Sequence, residues 1–126
     1  MALQESGEMY LETILRLQGE LKIVRSIDVA EHMNFSKASV SRAVKILKND
    51  GYLEVERTGN LNLTKEGEKI AKKIYERHTV LTKFMISIGI DEKTAEEDAC
   101  RIEHVISDKS FNVIKKIVKE NAKAEA

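Results

Sequence analysis

The chain of 126 residues contains no proline and no tryptophan, and only 5% of it is aromatic. Without proline, no position loses its amide donor or forces a break in a helix. One third of the residues are charged, which with those absences is the composition of a helix-rich cytosolic protein. A single cysteine, Cys100, excludes a disulfide framework within the chain and fits a reducing compartment. There is no basic-then-apolar leader pattern at the N-terminus and no uninterrupted apolar run near 18 residues. Secretion and membrane spanning are therefore not expected, and a cytoplasmic location is. Net charge is missing too: 21 basic residues balance 21 acidic ones, which rules out a uniformly basic nucleic-acid tail.

The balance is uneven along the chain. Residues 22–73 hold 11 basic and 7 acidic side chains, whereas residues 86–108 hold 2 basic and 7 acidic ones. A basic half beside an acidic half suggests two tasks, with a polyanion and a cation as natural partners. A chain this short buries only about two-thirds of its unfolded surface, so a homodimer would help to complete its core.

Periodicity gives the organisation. Residues 3–18 read as a helix with Tyr10, Leu11, Ile14, Leu15 and Leu17 on a broad apolar face, ended by Gly19. Ser26 is the expected cap of a short second helix that turns Ile27, Ala30 and Met33 inward. Ser36 caps a third, residues 37–49, on which Val40, Val44 and Leu47 face the core. The period then changes: Leu53 and Val55 alternate with Glu54 and Glu56, Thr58-Gly59-Asn60 is turn chemistry, and Leu61 and Leu63 alternate again. That is a two-stranded hairpin. Thr64 caps a long helix reaching about Ile88, with Ile70, Ile74, Leu81, Met85 and Ile88 on one stripe, and Gly89 ends it. Asp91 caps another over residues 92–106. A last amphipathic helix, 109–122, carries Phe111, Ile114, Ile117 and Val118 before a short polar tail expected to fray. The expected fold is mainly α with a small β-hairpin: a winged helix-turn-helix over residues 1–72, then an all-helical domain over 73–126.

Helix 37–49 is the expected DNA reader. Its buried stripe leaves Ser36, Lys37, Ala38, Ser39, Ser41, Arg42 and Lys45 outside, and residues 36–48 hold four basic residues and no acidic one. Basic side chains neutralise phosphates, and small residues near a helix start let the backbone approach. Arg42 can reach a guanine edge or a phosphate, while Arg57 and Asn60 belong to the wing tip, near the flanking backbone.

The sharper motif is Cys100-Arg101-Ile102-Glu103-His104. On a helix, Glu103 and His104 lie about 60° to either side of Cys100, with Glu96 and Glu97 one turn away on the same stripe. Thiolate, carboxylate and imidazole at this spacing can converge on a divalent transition metal. His78, by spacing alone, shares the stripe of Ile74, Leu81 and Met85, which is where a core histidine sits.

Glu8-Met9-Tyr10-Leu11-Glu12, the segment Ser36 to Ser41, Leu61-Asn62-Leu63-Thr64-Lys65-Glu66-Gly67, Arg77-His78 and Glu97 to His104 together resemble the diphtheria toxin repressor family. These are metal-activated transcriptional repressors with iron-sensing and manganese-sensing branches. The resemblance covers essentially the whole chain and implies the compact two-domain form, without the SH3-like third domain that many members carry. It implies that Met9, Cys100, Glu103 and His104 match the regulatory site of the iron branch. By the same resemblance Glu12 matches a ligand of the manganese branch, and His78 matches a position used by both. Thr82 and Glu96 stand where the iron branch's ancillary site usually has Glu and His, a departure from that site. Glu96 or Glu97 can still supply an oxygen.

The resulting expectation is a repressor, not an enzyme, that binds palindromic double-stranded operator DNA as a homodimer and controls metal-ion homeostasis genes. It needs no membrane and no organic cofactor. A thioether and a thiolate favour Fe(II), Co(II), Ni(II) or Zn(II) over Mn(II). Intracellular availability then makes Fe(II) the expected effector, with Mn(II) second and Co(II), Ni(II) or Zn(II) as substitutes. An ion bound by both the first and the fifth helix would select the DNA-fitting arrangement of the dimer. Two other readings stand beside this one. The first is a winged-helix regulator sensing oxidation at Cys100 or a small ligand. The second is a small metalloenzyme with Glu103 as base, but the chain has no phosphate-cradling glycine loop, nucleophile elbow or His-Glu-x-x-His helix.

Overall fold

The computed structural model describes residues 5–125, and among them there are six helices and one two-stranded sheet in two compact units, 1–72 and 73–126. The first unit holds α1 (Glu5–Gln18), α2 (Ser26–Met33), α3 (Lys37–Asn49), β1 (Leu53–Val55), β2 (Leu61–Leu63) and the start of α4 (Lys65–Ser87). The second holds the rest of α4, α5 (Glu92–Ile102) and α6 (Asp108–Glu125). The expected start of the first helix at residues 3 and 4 lies outside the described residues.

Leu11 and Ile14 of α1, Val29 of α2, Val40 and Leu47 of α3, and Leu53 and Leu61 of the hairpin meet in the core of the first unit. The expected stripe of α3 is buried: Val40 is 0% exposed, Val44 7% and Leu47 3%. On α2 the reading needs two corrections. Arg25, not Ser26, stands at the N-cap, because the Asp28 carboxylate reaches back to accept from the Arg25 backbone N–H at 2.8 Å. The inward face is Val29 and Ala30 with Met33 packed against the same core as expected, while Ile27 is left outside. Asn34 takes the left-handed conformation after α2, and the Phe35 N–H returns to the Ala30 carbonyl, so the chain turns tightly into α3.

Serine, threonine and aspartate set the other helix starts. Ser36 Oγ accepts from the Ser39 N–H, Thr64 Oγ1 from the Gly67 N–H, and Asp91 from the Thr94 N–H. The hairpin is antiparallel, with Leu53 opposite Leu63 and Val55 opposite Leu61. Its inner edge is tied to the loop before α2, where the Leu61 N–H donates to the Val24 carbonyl at 2.7 Å.

Gly67 sits where α4 comes close to Tyr52, the residue before β1. A Cβ at that position would lie 2.1 Å from the Tyr52 carbonyl oxygen, a backbone atom that cannot swing aside. Gly67→Ala is expected to destabilise the first unit by about 1–3 kcal/mol, the cost of forcing extra volume into a packed site. Thermal unfolding of the two chains measures it; an unchanged midpoint would refute the close approach.

In the second unit Leu81, Met85, Ala95, Ala99 and Phe111 form the core. Gly89 closes α4 with φ +103°, but Ile88, read as part of the buried stripe, is 62% exposed because the helix has already ended. Two further boundaries differ from the sequence reading. The helix expected over 92–106 stops at Ile102, and residues 103–105 form a turn. The tail after Asn121 is helical as far as Glu125. Among the described residues no helix is long and apolar enough to cross a membrane.

Candidate metal centre and nucleic-acid interface

Three groups of the second unit come together. His78 on α4, Cys100 on α5 and Glu103 at the C-cap of α5 each offer a ligand atom, and all three atoms lie within 4.8 Å of one another. His78 Nδ1 is 2.9 Å from Glu103 Oε2 and 3.7 Å from Cys100 Sγ. The other oxygen of the carboxylate, Oε1, is 3.2 Å from His104 Nε2. Glu103 is thus held between two imidazoles at 1% exposure, whereas Cys100 is exposed at the rim. A buried carboxylate in apolar surroundings is costly unless compensated by charge and hydrogen bonds. Here the compensation is cationic. The Cys100 thiol and then the Glu103 carboxylate, through their hydrogen bonds, pull the His78 pKa up to about 10 against the opposing effect of burial. The cluster therefore attracts positive charge, which a proton on His78 supplies in the free chain.

His78 is buried, as its stripe suggests, with its ring bonded toward Glu103 and Cys100. Its backbone carbonyl accepts from Thr82 Oγ1 at 2.7 Å, one turn along α4. Glu103 caps α5 in helical conformation with its N–H on the Ala99 carbonyl, so it keeps helical spacing from Cys100, and His104 follows in the turn. Glu96 and Glu97 are exposed on α5 and stand outside the three-residue cluster. Met9 is half-buried and Glu12 is buried, both on α1 of the first unit.

Sequence reasoning gave Arg77 no role. Its side chain is 7% exposed, and it donates from Nη1 to the carbonyls of Glu103 at 3.1 Å and Ile106 at 2.8 Å. Its Nη2 pairs with Asp108. Nothing but adjacency to His78 marks it in the sequence, since its partners lie 26 to 31 residues away.

On the first unit, Lys37, Ala38, Ser41, Arg42 and Lys45 of α3 are exposed, and so is Ser36 before it. Ser39 is half-buried, and its hydroxyl is 3.5 Å from an Arg42 amino group and 2.9 Å from Ser36 Oγ. The outer side of α3 thus carries a continuous set of cations and hydroxyls. At the wing, Arg57 is exposed, but Asn60 serves the hairpin's own frame. Its Oδ1 accepts from the Val24 N–H at 2.9 Å, and its Nδ2 donates to Glu56 and Asn62. The amide expected at the DNA backbone is thus already committed.

Comparison with known proteins agrees with both units. Residues 2–61 match the family model described as the iron dependent repressor N-terminal DNA binding domain. Residues 64–124 match the iron dependent repressor metal binding and dimerisation domain. The chain is 36% identical over 113 residues to the HTH-type transcriptional regulator MntR of Lysinibacillus sphaericus, covering 90% of this chain and 81% of that protein. It is 33% identical over 115 residues to an uncharacterised HTH-type transcriptional regulator of Methanocaldococcus jannaschii, covering 90% and 92%. Among solved structures it resembles that of the manganese regulator SloR, with a TM-score of 0.80 and 25% identity over 94% of this chain. It spans 55% of that longer chain. With one family's DNA-binding and metal-binding domains matched in succession along nearly its whole length, the chain belongs to the iron dependent repressor family.

Proposed function

We propose that this protein is a metal-activated transcriptional repressor whose effector is Fe(II). It binds palindromic operator DNA as a homodimer, in the cytoplasm, and controls genes of metal-ion homeostasis. The observation that carries the reading is the convergence of His78, Cys100 and Glu103 in a chain whose other unit exposes a basic helix after a tight turn. Imidazole nitrogen, thiolate sulfur and carboxylate oxygen make a donor set suited to a divalent transition metal. His104, held on the second carboxylate oxygen, completes the local set. Support for Met9 and Glu12 as further ligands comes from family membership. A bound ion supplies fixed positive charge where the free site holds a proton.

Each residue then has a defined task. Glu103 brings a buried negative charge, Cys100 a soft donor open to solvent, and His78 a ring whose orientation Glu103 sets. On α3, Lys37, Arg42 and Lys45 neutralise phosphates, and Ser36, Ala38, Ser39 and Ser41 let the helix approach the groove. Arg57 extends the contact at the wing. Exposed Tyr75, Ile86, Val105, Val113 and Ile117 on the second unit supply apolar surface for the homodimer.

A second reading, Mn(II) as effector, is favoured by the similarity to a solved manganese regulator and by the carboxylate oxygens of Glu103. Mobility shifts on a candidate palindrome under anaerobic conditions separate the two. Fe(II) at micromolar concentration is expected to induce binding; induction by Mn(II) alone would transfer the assignment to the second reading. Linkage adds a quantitative check: if metal tightens operator binding by a given factor, operator DNA must tighten metal binding by the same factor. Metal titrations of the free and DNA-bound protein measure both arms.

A further inference from the structure

We propose that Arg77 is the positioning residue of the metal centre: its guanidinium fixes the turn that carries Glu103 and His104, and so sets the affinity for a divalent transition metal. The inference rests on the metal-centre reading above and goes beyond its ligand set. Five residues, 103–107, link α5 to α6. Arg77 holds the first of them by its carbonyl, Ile106 by its carbonyl, and Asp108 at the start of α6 by its carboxylate. These are groups that a helix end and a short turn leave without intrahelical partners. One buried cation therefore closes the turn at both ends. Its guanidinium carbon also lies 5.5 Å from the centre of the Phe111 ring, which adds a cation–π contact from the first turn of α6.

The consequence falls on Glu103. Its N–H donates to the Ala99 carbonyl at 2.9 Å and its own carbonyl accepts from Arg77 at 3.1 Å, so its backbone is held on both sides. Only the side-chain torsions remain free, and His78 and His104 restrain those. Arg77 and His78 are consecutive on α4, so one turn of that helix grips the backbone of Glu103 with a guanidinium and its carboxylate with an imidazole. The planar fork matters, because a lysine ammonium cannot serve two carbonyls and a carboxylate in one fixed geometry. Lys73 and Arg77 hold the Asp108 carboxyl below the usual carboxylate range, so this end of the clamp stays ionised at neutral pH.

The test uses Co(II) as the probe, titrated anaerobically into the metal-free full chain. The sulfur-to-metal charge-transfer band reports Cys100, and circular dichroism reports the fold. Arg77→Met is expected to weaken Co(II) binding about 10–100-fold, the usual effect of removing an outer partner of a metal ligand, at a temperature where the variant is fully folded. Arg77→Lys is expected to recover most of the thermal stability but only part of the affinity. Asp108→Asn, which keeps both carbonyl contacts, should lose less than about tenfold. A folded Arg77→Met chain with wild-type Co(II) affinity and spectrum would overturn the proposal. If that variant does not fold, wild-type affinity in both Arg77→Lys and Asp108→Asn overturns it instead. A wild-type chain that ignores Co(II), or a Cys100→Ala chain that binds it unchanged, sinks the metal-centre reading itself.

Discussion

Glu103→Gln is expected to weaken metal binding by more than about 100-fold and to abolish metal-dependent operator binding, while the chain still folds. The amide has the shape of the carboxylate and can still hydrogen-bond His78, so the core around it need not collapse. What it lacks is the charge. Glu103 is 1% exposed, and its carboxylate is the negative group beside both imidazoles. Outer partners of metal ligands typically contribute 10–100-fold in affinity, so a direct ligand of this kind should exceed that range. Calorimetric titration with Fe(II) and Mn(II), beside mobility shifts, measures both losses. Metal affinity within threefold of the wild type would remove Glu103 from the site.

Arg42→Glu should lower operator affinity at least about thirtyfold at fixed salt, with the melting temperature and the circular dichroism spectrum unchanged. Arg42 is exposed, and its one described hydrogen bond is a 3.5 Å contact to Ser39 Oγ, so the fold does not need it. A good base contact is worth about 1–3 kcal/mol. A homodimer loses it twice, and about 1.4 kcal/mol corresponds to a factor of ten. Placing a negative charge against phosphate adds to this lower bound. A tail-mediated or wing-only mode of binding would leave the affinity near wild type, and that outcome would disqualify α3 as the reader.

The opposite locations of these two residues reflect their chemistry. In the proposed roles, Arg42 would meet a solvated polyanion and is exposed to water, whereas Glu103 would compete with water for a small cation and is buried. Such a division lets one unit be altered without disturbing the other, so Arg42→Glu should retain full metal affinity in the absence of DNA.

Local rules were enough wherever a residue's partner is near it in sequence. Ser36, Thr64 and Asp91 each cap the helix that follows because the acceptor lies three residues from the amide it serves. Val40, Val44 and Leu47 face inward because a 3.6-residue period leaves them no other common face. The hairpin was legible from its period of two and its turn residues. Even the candidate metal motif was visible as a thiol among carboxylates and an imidazole, with Glu103 at helical spacing from Cys100 and His104 just beyond the helix end.

Local rules failed where a distant group intervened. The apolar residues Ile102 and Ile106 continue the helical period, so the pattern ran on to 106. Arg77, reaching from α4 to the Glu103 and Ile106 carbonyls, instead favours a turn there. Asn60, read only as a wing-tip residue, also has its oxygen engaged by the Val24 amide, 36 residues away.

By itself, then, the order of residues determined which segments become helices or strands, which face of most of them is apolar, and which residue types are available for a cation and for DNA. Those properties depend on neighbours within a turn or two, and hydrophobic period and capping chemistry record them directly. The tertiary structure alone decided that His78 turns toward Cys100 and Glu103, that Arg77 clamps the turn between α5 and α6, and that Asn60 braces the wing. Each of these joins groups more than twenty residues apart, and such contacts exist only once the chain has closed on itself and burial has made every unpaired polar group costly.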